Sequence, residues 1–528
     1  MQPTPPAGPG ARRTLAGLLP LALFAAHAAL YVAPFEDAFI SMRYARNAAA
    51  GLGWVFNPGE RVEGFTSFTW VAALAAAARL SLPLPATATV GSLAAGAALV
   101  LLTAWFARRL RPQDPEGATL AALLVAAQGS VAYYAASGME HTLFGVTVLL
   151  GVGLALRGPP LAAAALLVLA SLTRPEGIAY ATLTVAALAL IARRPRDAAR
   201  VALPYALGFA VWFAWRWRYF GYPLPNTYYA KAAGSLPLAL RGASHVLAFA
   251  WSSGLALALC AAWRGGAQER WLRAALGLIA LGATAAVVKV GGDGFPFYRF
   301  FIPVIPLAAM LGVMALSELP AMRRRLAVAA VACLAFGSAW LPHLPDELSP
   351  RRRFVDLRRI NDDYAAVGRW MRATLPPDAT VALNAIGIVP WESGLRTLDM
   401  LGLTDAHIAH RDLPLGRGPY GHEKHDATYV IGRRPDVIVP GLPVLARRRV
   451  RLAQLDAWWR PWYQHLPGDL EMRRNPSLLR DYSLLSREVR PGRWTVLFVR
   501  NDFAPRVAPA RAEAGNPGGA LVSEQGLR

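Results

Sequence analysis

The chain has 528 residues, of which 55% are hydrophobic and only 17% are charged, and its mean hydropathy is +0.32. Soluble chains carry roughly a quarter charged residues, so the composition argues against a wholly soluble enzyme. Lys and Arg exceed Asp and Glu by 22, but many of these basic residues form short clusters beside apolar runs, as at the ends of membrane helices. We therefore expect a lipid bilayer as partner and no nucleic acid.

The charges are distributed unevenly, since 49 of the 88 charged residues follow residue 342. We expect three parts, which are an apolar transmembrane domain over 1–342, an extracytoplasmic α/β domain over 343–503 and a disordered Pro/Gly/Ala-rich tail over 504–528. Within the second part, 363–374 has the spacing of an amphipathic helix. Residues 381–383 and 437–439 are typical of short buried strands.

Apolar runs near the length of a membrane helix recur through the first part. They lie near 14–35, 66–82, 86–107, 118–136, 142–156, 161–172, 177–192, 202–220, 240–262, 272–290, 301–317 and 326–342. A polar interruption at 173–177 favours one broken crossing over 161–192, so we predict about eleven spans. Basic residues at 12–13 and 323–325 place the N-terminus inside and the C-terminal domain outside a bacterial cytoplasmic membrane.

The first loop predicted to face outward carries the adjacent acids Glu36 and Asp37. Adjacent carboxylates at a helix end point in different directions, so one can face a cavity while the other supports it. Arg43 and Arg46 follow on the next turns, and guanidinium groups suit phosphate oxygens. The alternative is a charged helix end with basic residues on its surface.

The loop belongs to a longer recognisable run, "EDAFISMRYARNAAAGLGWVFNPGERVEGFTSFTW" (36–70). It resembles the first loop of the mycobacterial terminal β-(1→2) arabinofuranosyltransferase family and of related bacterial membrane proteins, some catalogued as flagellar motor control proteins. Further matches follow in order, namely "SGMEHTLF" (137–144), "LTRPEG" (172–177), "YPLPNTYYAK" (222–231), "GGDGFPFYRFFIPVIPL" (291–307), "DMLGLTDAHIA" (399–409) and "GHEKHDATYV" (421–430). The resemblance covers about 36–440.

The resemblance implies a polytopic α-helical membrane protein of the GT-C glycosyltransferase type. Such an enzyme transfers a sugar, here most simply arabinofuranose, from a polyprenyl-phosphate donor to a cell-wall polysaccharide or lipid-glycan acceptor. The acid pair of the resembled family is Asp-Asp, whereas this chain has Glu36-Asp37. The catalytic role therefore falls first on Asp37, with Glu36 able to share it. If donor and product are both β-linked, as the resemblance implies, a single displacement is insufficient.

The resemblance also implies residues for the donor phosphate, where catalysis needs positioning and charge neutralisation. The candidates are Arg43, Arg174, Lys231, Lys289 and Arg299. Structural alternatives remain open for each of them. Arg174 could pair with Glu176 and Arg299 with Asp293, while the two lysines are also typical of helix ends at a membrane surface.

Candidates for binding the sugar or the acceptor offer hydrogen bonds and aromatic faces. They are Glu63, Glu140, His141, Asn226, Tyr228, Tyr229, Asp293 and His422, with Trp54, Trp70 and Trp391 as candidates for stacking. The tyrosines also suit an interfacial aromatic belt, and Glu140-His141 also suits a helix start. The spacing of His422, Glu423 and His425 is weak evidence for zinc, so we assign no metal ligands and leave a divalent cation open as cofactor.

Two other functions fit the same apolar scaffold. A transporter or flippase of lipid-linked sugar would share intramembrane charges, but the inverted repeat typical of transporters is not evident. A non-catalytic envelope or flagellar-motor assembly protein would keep the scaffold without the chemistry. The acid at the end of the first helix and the large outer domain favour the enzyme.

Overall fold

The protein is described by a computed structural model. The structure describes residues 9–231, 235–254, 270–338, 350–416, 418, 420–463 and 466–507. The chain forms two compact units, the first comprising Met1–Ala38, Thr66–Gly221 and Gly234–Val355, and the second comprising Phe39–Phe65, Tyr222–Ala233 and Asp356–Arg528. This division differs from a single cut after residue 342, because two earlier segments belong to the unit that contains the C-terminal part.

Helices account for nearly all of the first unit. Along the chain they are α1 (Pro9–Ala29), α2 (Glu36–Ala49), α3 (Phe68–Arg79), α4 (Leu84–Leu110), α5 (Pro115–Ala126), α6 (Gly129–Ala135), α7 (His141–Arg157), α8 (Pro160–Thr173), α9 (Gly177–Ala186), α10 (Pro195–Phe220), α11 (Asn226–Lys231), α12 (Leu236–Ser253), α13 (Arg270–Val290), α14 (Val304–Ala315), α15 (Ala321–Ser338) and α16 (Pro350–Thr374). Of these, α11 lies in the second unit, and α2 and α16 contribute to both. Helix α4 packs against α5 and α7, and α8 packs against α7 and α10.

Small residues allow some of these helices to approach closely. A Cβ at Gly96 would lie 2.7 Å from Ala135, and one at Gly153 would lie 2.7 Å from the ring of Phe106. Glycines at helix interfaces are typical of helices that pack in membranes.

Three helices of the described part are long and apolar enough to cross a membrane, namely α4, α10 and α13. The pair α5 and α6, bent by 64°, passes the same criterion as one broken span. The remaining apolar helices have 10–17 residues, and at 1.5 Å per residue they reach only about 15 to 26 Å. The count of about eleven spans therefore stays a prediction.

The polar interruption at 173–177 separates α8 from α9, as expected from the sequence. Arg174 is extended, with φ −153° and ψ 142°, because a residue that precedes proline is driven away from helical angles. A Cβ at Gly177 would lie 2.4 Å from the backbone nitrogen of Ser171, so only glycine permits this close return of the chain. The break places the Arg174 side chain between two helices.

The second unit contains a five-stranded mixed sheet. Its further elements are β1 (Thr380–Leu383), α17 (Ile388–Ser393), β2 (Arg396–Asp399), α18 (Ala406–Ala409), α19 (Ala427–Gly432), β3 (Val437–Ile438), α20 (Leu455–Tyr463), α21 (Pro467–Arg474), α22 (Pro476–Asp481), β4 (Tyr482–Arg490) and β5 (Arg493–Arg500). The strand order is β2-β1-β3-β5-β4, with β1 parallel to its two neighbours and β5 antiparallel to β3 and β4. Strands β1 and β3 are those predicted at 381–383 and 437–439.

Ordered structure continues past the predicted boundary at residue 504. Residues Ala504–Arg506 form a 3₁₀ turn, and Phe503 and Val507 are buried. The Nη2 atom of Arg506 lies 2.8 Å from Oδ1 of Asp378. The boundary was placed too early because composition alone does not show that two apolar residues anchor this stretch. The rest of the predicted tail, 508–528, lies outside the described residues.

The carboxylate of Asp399 organises the loop after β2. Its Oδ1 accepts a hydrogen bond from the backbone of Leu401 (2.9 Å), and its Oδ2 accepts one from the backbone of Thr404 (2.7 Å). The side chain is buried, and burial, with a smaller effect of nearby Asp405, raises the pKa of Asp399 to about 6.

This shift predicts a pH dependence of stability. Between about pH 4 and pH 6 the folded protein keeps a proton that the unfolded chain, with an ordinary value of 3.8, releases. The group therefore lowers the free energy of unfolding as pH rises through this window, by roughly 3 kcal/mol in total. We expect Asp399→Asn to remove this component in denaturant unfolding of the purified protein at pH 4 and pH 7. Asp362→Asn, at an exposed position, is the control, and equal pH profiles for wild type and Asp399→Asn would contradict the assignment.

Candidate active site

Polar side chains from four separate segments of the first unit meet in one place, here called the arginine–carboxylate cluster. Its members are Asp37, Glu140, His141, Arg174, Glu176, Asp293 and Arg299. They come from the start of α2, the start of α7, the break between α8 and α9, and the loop after α13. The sequence pointed to these residues through separate motifs, and the structure brings them together.

Arg299 joins the loop after α13 to the start of α2. Its Nη2 donates to Oδ1 of Asp293 at 3.0 Å, and its Nε lies 2.5 Å from Oδ2 as an ion pair in which the N–H does not point at the oxygen. Its Nη1 lies 3.9 Å from Oδ2 of Asp37. The preceding residues Phe297 and Tyr298 have φ of 65° and 54°, a costly conformation for bulky residues. The costly backbone conformation of these two residues thus immediately precedes Arg299.

Arg174 joins the helix break to the start of α7. Its Nη1 donates to Oε1 of Glu140 at 2.6 Å, and its Nη2 donates to Oε1 of Glu176 at 2.8 Å. The same Nη1 lies 2.9 Å from Nε2 of His141. Because a guanidinium can only donate, Nε2 accepts and the neutral imidazole carries its proton on Nδ1. The structural pairing of Arg174 with Glu176 that the sequence left open is therefore present.

Both guanidinium groups lie near the same aromatic ring. The Cζ atoms of Arg174 and Arg299 lie 5.4 Å and 5.5 Å from the centroid of the Phe300 ring, and Arg299 also lies 4.5 Å from that of Phe295. Such cation–π contacts attract a cation to the ring face. Sequence reasoning missed these two rings as parts of the site, although the aromatic run around Arg299 was a usable signal.

Asp37 is held more loosely than the other acids that pair with the two arginines. Its contact with Arg299 is longer than a hydrogen bond, and its side chain is 22% exposed, compared with 26% for Glu176, 6% for Glu140 and 0% for Asp293. Glu36, the other predicted catalytic acid, is half-buried beside it on the first turn of α2. Asp37 thus combines a fixed charge partner with access for a reactant.

Arg43 binds backbone carbonyl groups of the second unit. Its guanidinium donates to the backbone oxygens of Phe56 (2.9 Å), Pro390 (2.8 Å) and Leu395 (2.8 Å), and to Oδ1 of Asn57 (3.3 Å). Burial lowers its pKa to about 9, so the group stays charged at neutral pH. These contacts tie segments of the second unit together, and the phosphate-binding role of Arg43 stays a prediction.

Asn226 also binds backbone in the second unit. Its Nδ2 donates to the carbonyl oxygens of Gly402 (2.7 Å), Leu403 (3.0 Å) and Asp405 (3.3 Å), and its backbone N–H donates to the carbonyl of Glu63 (3.0 Å). The Asn226 and Glu63 side chains are both buried. Asn226 therefore positions the loop after β2 through its Nδ2, and its sugar-binding role stays a prediction.

The two predicted tyrosines lie on α11 in the second unit. The Tyr229 ring packs on the His410 ring at a centroid distance of 4.1 Å and on Tyr222 at 6.1 Å. Tyr228 is half exposed. The Tyr229 ring thus contacts protein, whereas the Tyr228 ring is accessible. The sugar-binding role of both stays a prediction.

The two predicted lysines lie at the C-terminal ends of helices. Lys231 is the last residue of α11, and Lys289 is the penultimate residue of α13, where it is exposed. Helix ends favour cations through the helix dipole. Only Lys289 shares the first unit with the arginine–carboxylate cluster.

Two predicted stacking residues are engaged within the protein. Trp70 is buried and its Nε1 donates to the carbonyl of Gly138 at 3.3 Å. The ring of Trp391 lies under the guanidinium of Arg46, with 4.6 Å from Cζ to the ring centroid. Neither arrangement presents a free ring face for a sugar at that contact.

The polar loop at 421–425 mostly binds its own backbone. Oε1 of Glu423 accepts from the backbone N–H groups of Gly416 (2.7 Å) and Gly418 (2.6 Å), and Nδ1 of His422 lies 2.8 Å from the carbonyl oxygen of Tyr420. In the part of the chain that the structure describes, no group of three or more His, Cys, Asp or Glu is arranged to hold a metal ion.

Comparison with known proteins gives a fold relationship. ArnT from Cupriavidus metallidurans, a GT-C glycosyltransferase, matches in its apo crystal structure with 16% identity over 94% of this chain and 98% of that chain, at a TM-score of 0.54. Its crystal structure bound to undecaprenyl phosphate matches with 15% identity over 95% and 100% of the two chains, at a TM-score of 0.57. This likeness shows that the chain has a GT-C fold, which confirms that part of the sequence prediction.

Sequence comparison adds one match. A family described as a domain of unknown function (DUF8728) matches residues 355–497, within the C-terminal part of the chain. A search of the curated proteins finds no match.

The cluster predicts a specific stability effect. Arg174→Ala would leave Glu140 and Glu176 as buried or half-buried carboxylates without their cation, and breaking such a pair costs about 3–5 kcal/mol. Thermal unfolding of the purified variant should show a correspondingly large fall in Tm. The control is Arg200→Ala, because Arg200 pairs with Asp197 at 3.5 Å with 69% of its side chain exposed, and exposed pairs contribute about 0–1 kcal/mol. Equal effects of the two substitutions would contradict the structural role of the cluster.

Proposed function

We propose that this chain is a membrane glycosyltransferase that transfers a sugar from a polyprenyl-phosphate donor to a cell-envelope glycan. The reaction would take place at the outer face of a bacterial cytoplasmic membrane. The observation that carries the proposal is a partly exposed carboxylate, Asp37, beside the buried cation Arg299 in a chain with a GT-C fold. The bound undecaprenyl phosphate in one ArnT structure supports a lipid-phosphate donor, and the motif resemblance over 36–440 supports arabinofuranose as the sugar.

The proposed reaction forms one bond and breaks one bond at the anomeric carbon of the donor sugar. Overall, the acceptor hydroxyl oxygen replaces the phosphate oxygen on the anomeric carbon of the sugar. If the configuration is retained, this happens through a carboxylate-bound sugar or by attack from the face that the phosphate leaves, because a single inverting displacement is insufficient. The polyprenyl phosphate leaves with the electron pair, and a carboxylate takes the hydroxyl proton or first stabilises the developing sugar cation. We assign this carboxylate to Asp37, because the other acids that pair with the two arginines have contacts of 2.5–2.8 Å and Asp37 has one of 3.9 Å.

The charge of the cluster determines how a phosphate would enter. Four carboxylates and two guanidinium groups have a formal charge of −2, which repels an anion unless it takes the place of a carboxylate on an arginine. The pairing of Asp37 with Arg299 is the longest of the set, so it is the one that a phosphate oxygen replaces most easily. Donor binding at Arg299 would then release Asp37 toward the acceptor, with Lys289 as a second candidate cation.

Substitution of the acid tests this proposal. We expect Asp37→Asn to lower sugar transfer about 10²–10⁴-fold while undecaprenyl phosphate binds at least as tightly, because a competing negative charge is removed. Transfer is measured by mass spectrometry of products from purified protein in nanodiscs with a panel of polyprenyl-phosphate sugars. Lipid binding is measured by native mass spectrometry. Asp197→Asn, which removes an exposed acid paired with Arg200, is the matched control and should leave both quantities unchanged.

Three measurements, two of them on the Asp37→Asn variant, separate the competing functions. Wild-type rates of transfer in Asp37→Asn would refute the assignment of the catalytic acid. Movement of the lipid-linked sugar across a vesicle membrane without any transfer product would favour a transporter. Unchanged envelope glycans in cells that carry only Asp37→Asn would favour a scaffold protein.

A further inference from the structure

A polar cavity lies entirely within the second unit, along β2 at the edge of the sheet. Its volume is about 310 Å³, which is at the lower end of the range for small-molecule sites. The residues that line it include Glu60, Arg396, Asp405, His407, Tyr429 and Arg433. None of them was among the site residues predicted from the sequence.

One wall of the cavity is a fixed pair of rings. The His407 ring stacks on the Tyr429 ring with centroids 4.0 Å apart and an interplanar angle of 17°. Nε2 of His407 lies 3.0 Å from Oδ2 of Asp426, so the imidazole is held at its edge while its side chain is 50% exposed. The outer face of the His407 ring therefore has an orientation that is set before a ligand arrives.

Hydrogen bonds fix the Tyr429 hydroxyl in the same wall. Nη1 of Arg433 donates to this hydroxyl at 2.8 Å, so the hydroxyl donates its own proton to Oδ2 of Asp405 at 2.9 Å. Burial, with Asp405 close by, raises the pKa of Tyr429 to about 12, so this donor persists at neutral pH. An aromatic face is thus bordered by one cationic donor and one anionic acceptor.

The charges around the cavity are paired with one another. Arg396 forms an ion pair with Glu60, and Arg434 lies 3.1 Å from Asp502. With Arg433 bound to the tyrosine that contacts Asp405, each of these arginines has an oxygen partner. Alternating donors and acceptors beside an aromatic face suit the hydroxyl groups and C–H face of a sugar better than they suit a phosphate.

We propose that this cavity binds a short uncharged saccharide. The inference rests on the proposed function, in which this saccharide is a segment of the acceptor glycan. The outer face of the His407 ring, whose inner face stacks on Tyr429, packs against the C–H face of a sugar. Glu60 and Asp405 accept from its hydroxyls, and Arg396 and Arg433 donate to them. The loop that carries Asp405 is the one that Asn226 holds through three carbonyl oxygens.

Binding to the full-length purified protein tests the proposal. The probes are a linear arabinofuranose tetrasaccharide, a malto-tetrasaccharide and inorganic phosphate, each titrated by calorimetry and by saturation-transfer NMR. We expect a tetrasaccharide to bind, and His407→Ala and Arg433→Gln each to weaken binding about tenfold. Arg448→Gln, at an exposed position outside the cavity, is the control and should bind normally. His407 and Arg433 are exposed, so we expect the two variants to fold. Melting curves show whether they do.

Several results would overturn the inference. Failure of the wild type to bind either tetrasaccharide, or equal binding by folded cavity variants, would do so. Binding of phosphate without saccharide would mark an anion site instead. The two claims fail separately: wild-type protein that binds saccharide but transfers sugar from no donor contradicts only the proposed function. Normal transfer to long acceptors by folded cavity variants that have lost saccharide binding would contradict only the claim that the bound saccharide is a segment of the acceptor.

Discussion

Two buried arginines impose the strongest constraint on the first unit. A cation taken out of water needs opposite charges and hydrogen bonds around it, and Arg174 finds these on Glu140 and Glu176. The break between α8 and α9 must therefore lie against the start of α7. By the same reasoning Arg299, paired with Asp293 and Asp37, holds the loop after α13 against the start of α2. Charge pairing thus fixes where four separate segments converge.

This pairing also sets the terms on which a ligand binds. The site has more carboxylates than guanidinium groups, so an anion binds favourably only if it replaces a carboxylate on an arginine. Its affinity therefore depends on the longest carboxylate–guanidinium pair, which is Asp37 with Arg299. Arg174 and Arg299 pair with different carboxylates. A carboxylate on Arg299 can therefore be exchanged while Arg174 keeps its partners.

Much of the fold was readable from local sequence, and the exceptions have a common cause. The strands β1 and β3 and the break after Thr173 follow from apolar runs and from one Arg-Pro-Glu-Gly interruption. The apolar run at 118–136 instead forms two helices, α5 and α6, bent by 64°. Hydropathy records how apolar a segment is, whereas a bend depends on what packs against it, so spans counted from hydropathy alone include segments that are too short or bent.

The first-loop motif shows the same limit for the candidate site. Asp37 on the first turn of α2 joins the arginine–carboxylate cluster, whereas Arg43 and Asn47 further along α2 bind the carbonyl oxygens of Phe56 and Val55. Arg43 also reaches Pro390, 347 residues away in sequence, a partner that no local pattern can reveal. The candidate catalytic acid and the structural side chains share one helix because the loop after α2 needs polar groups to satisfy its backbone. A dense polar motif therefore reports backbone binding as well as chemistry, and only the partners distinguish the two.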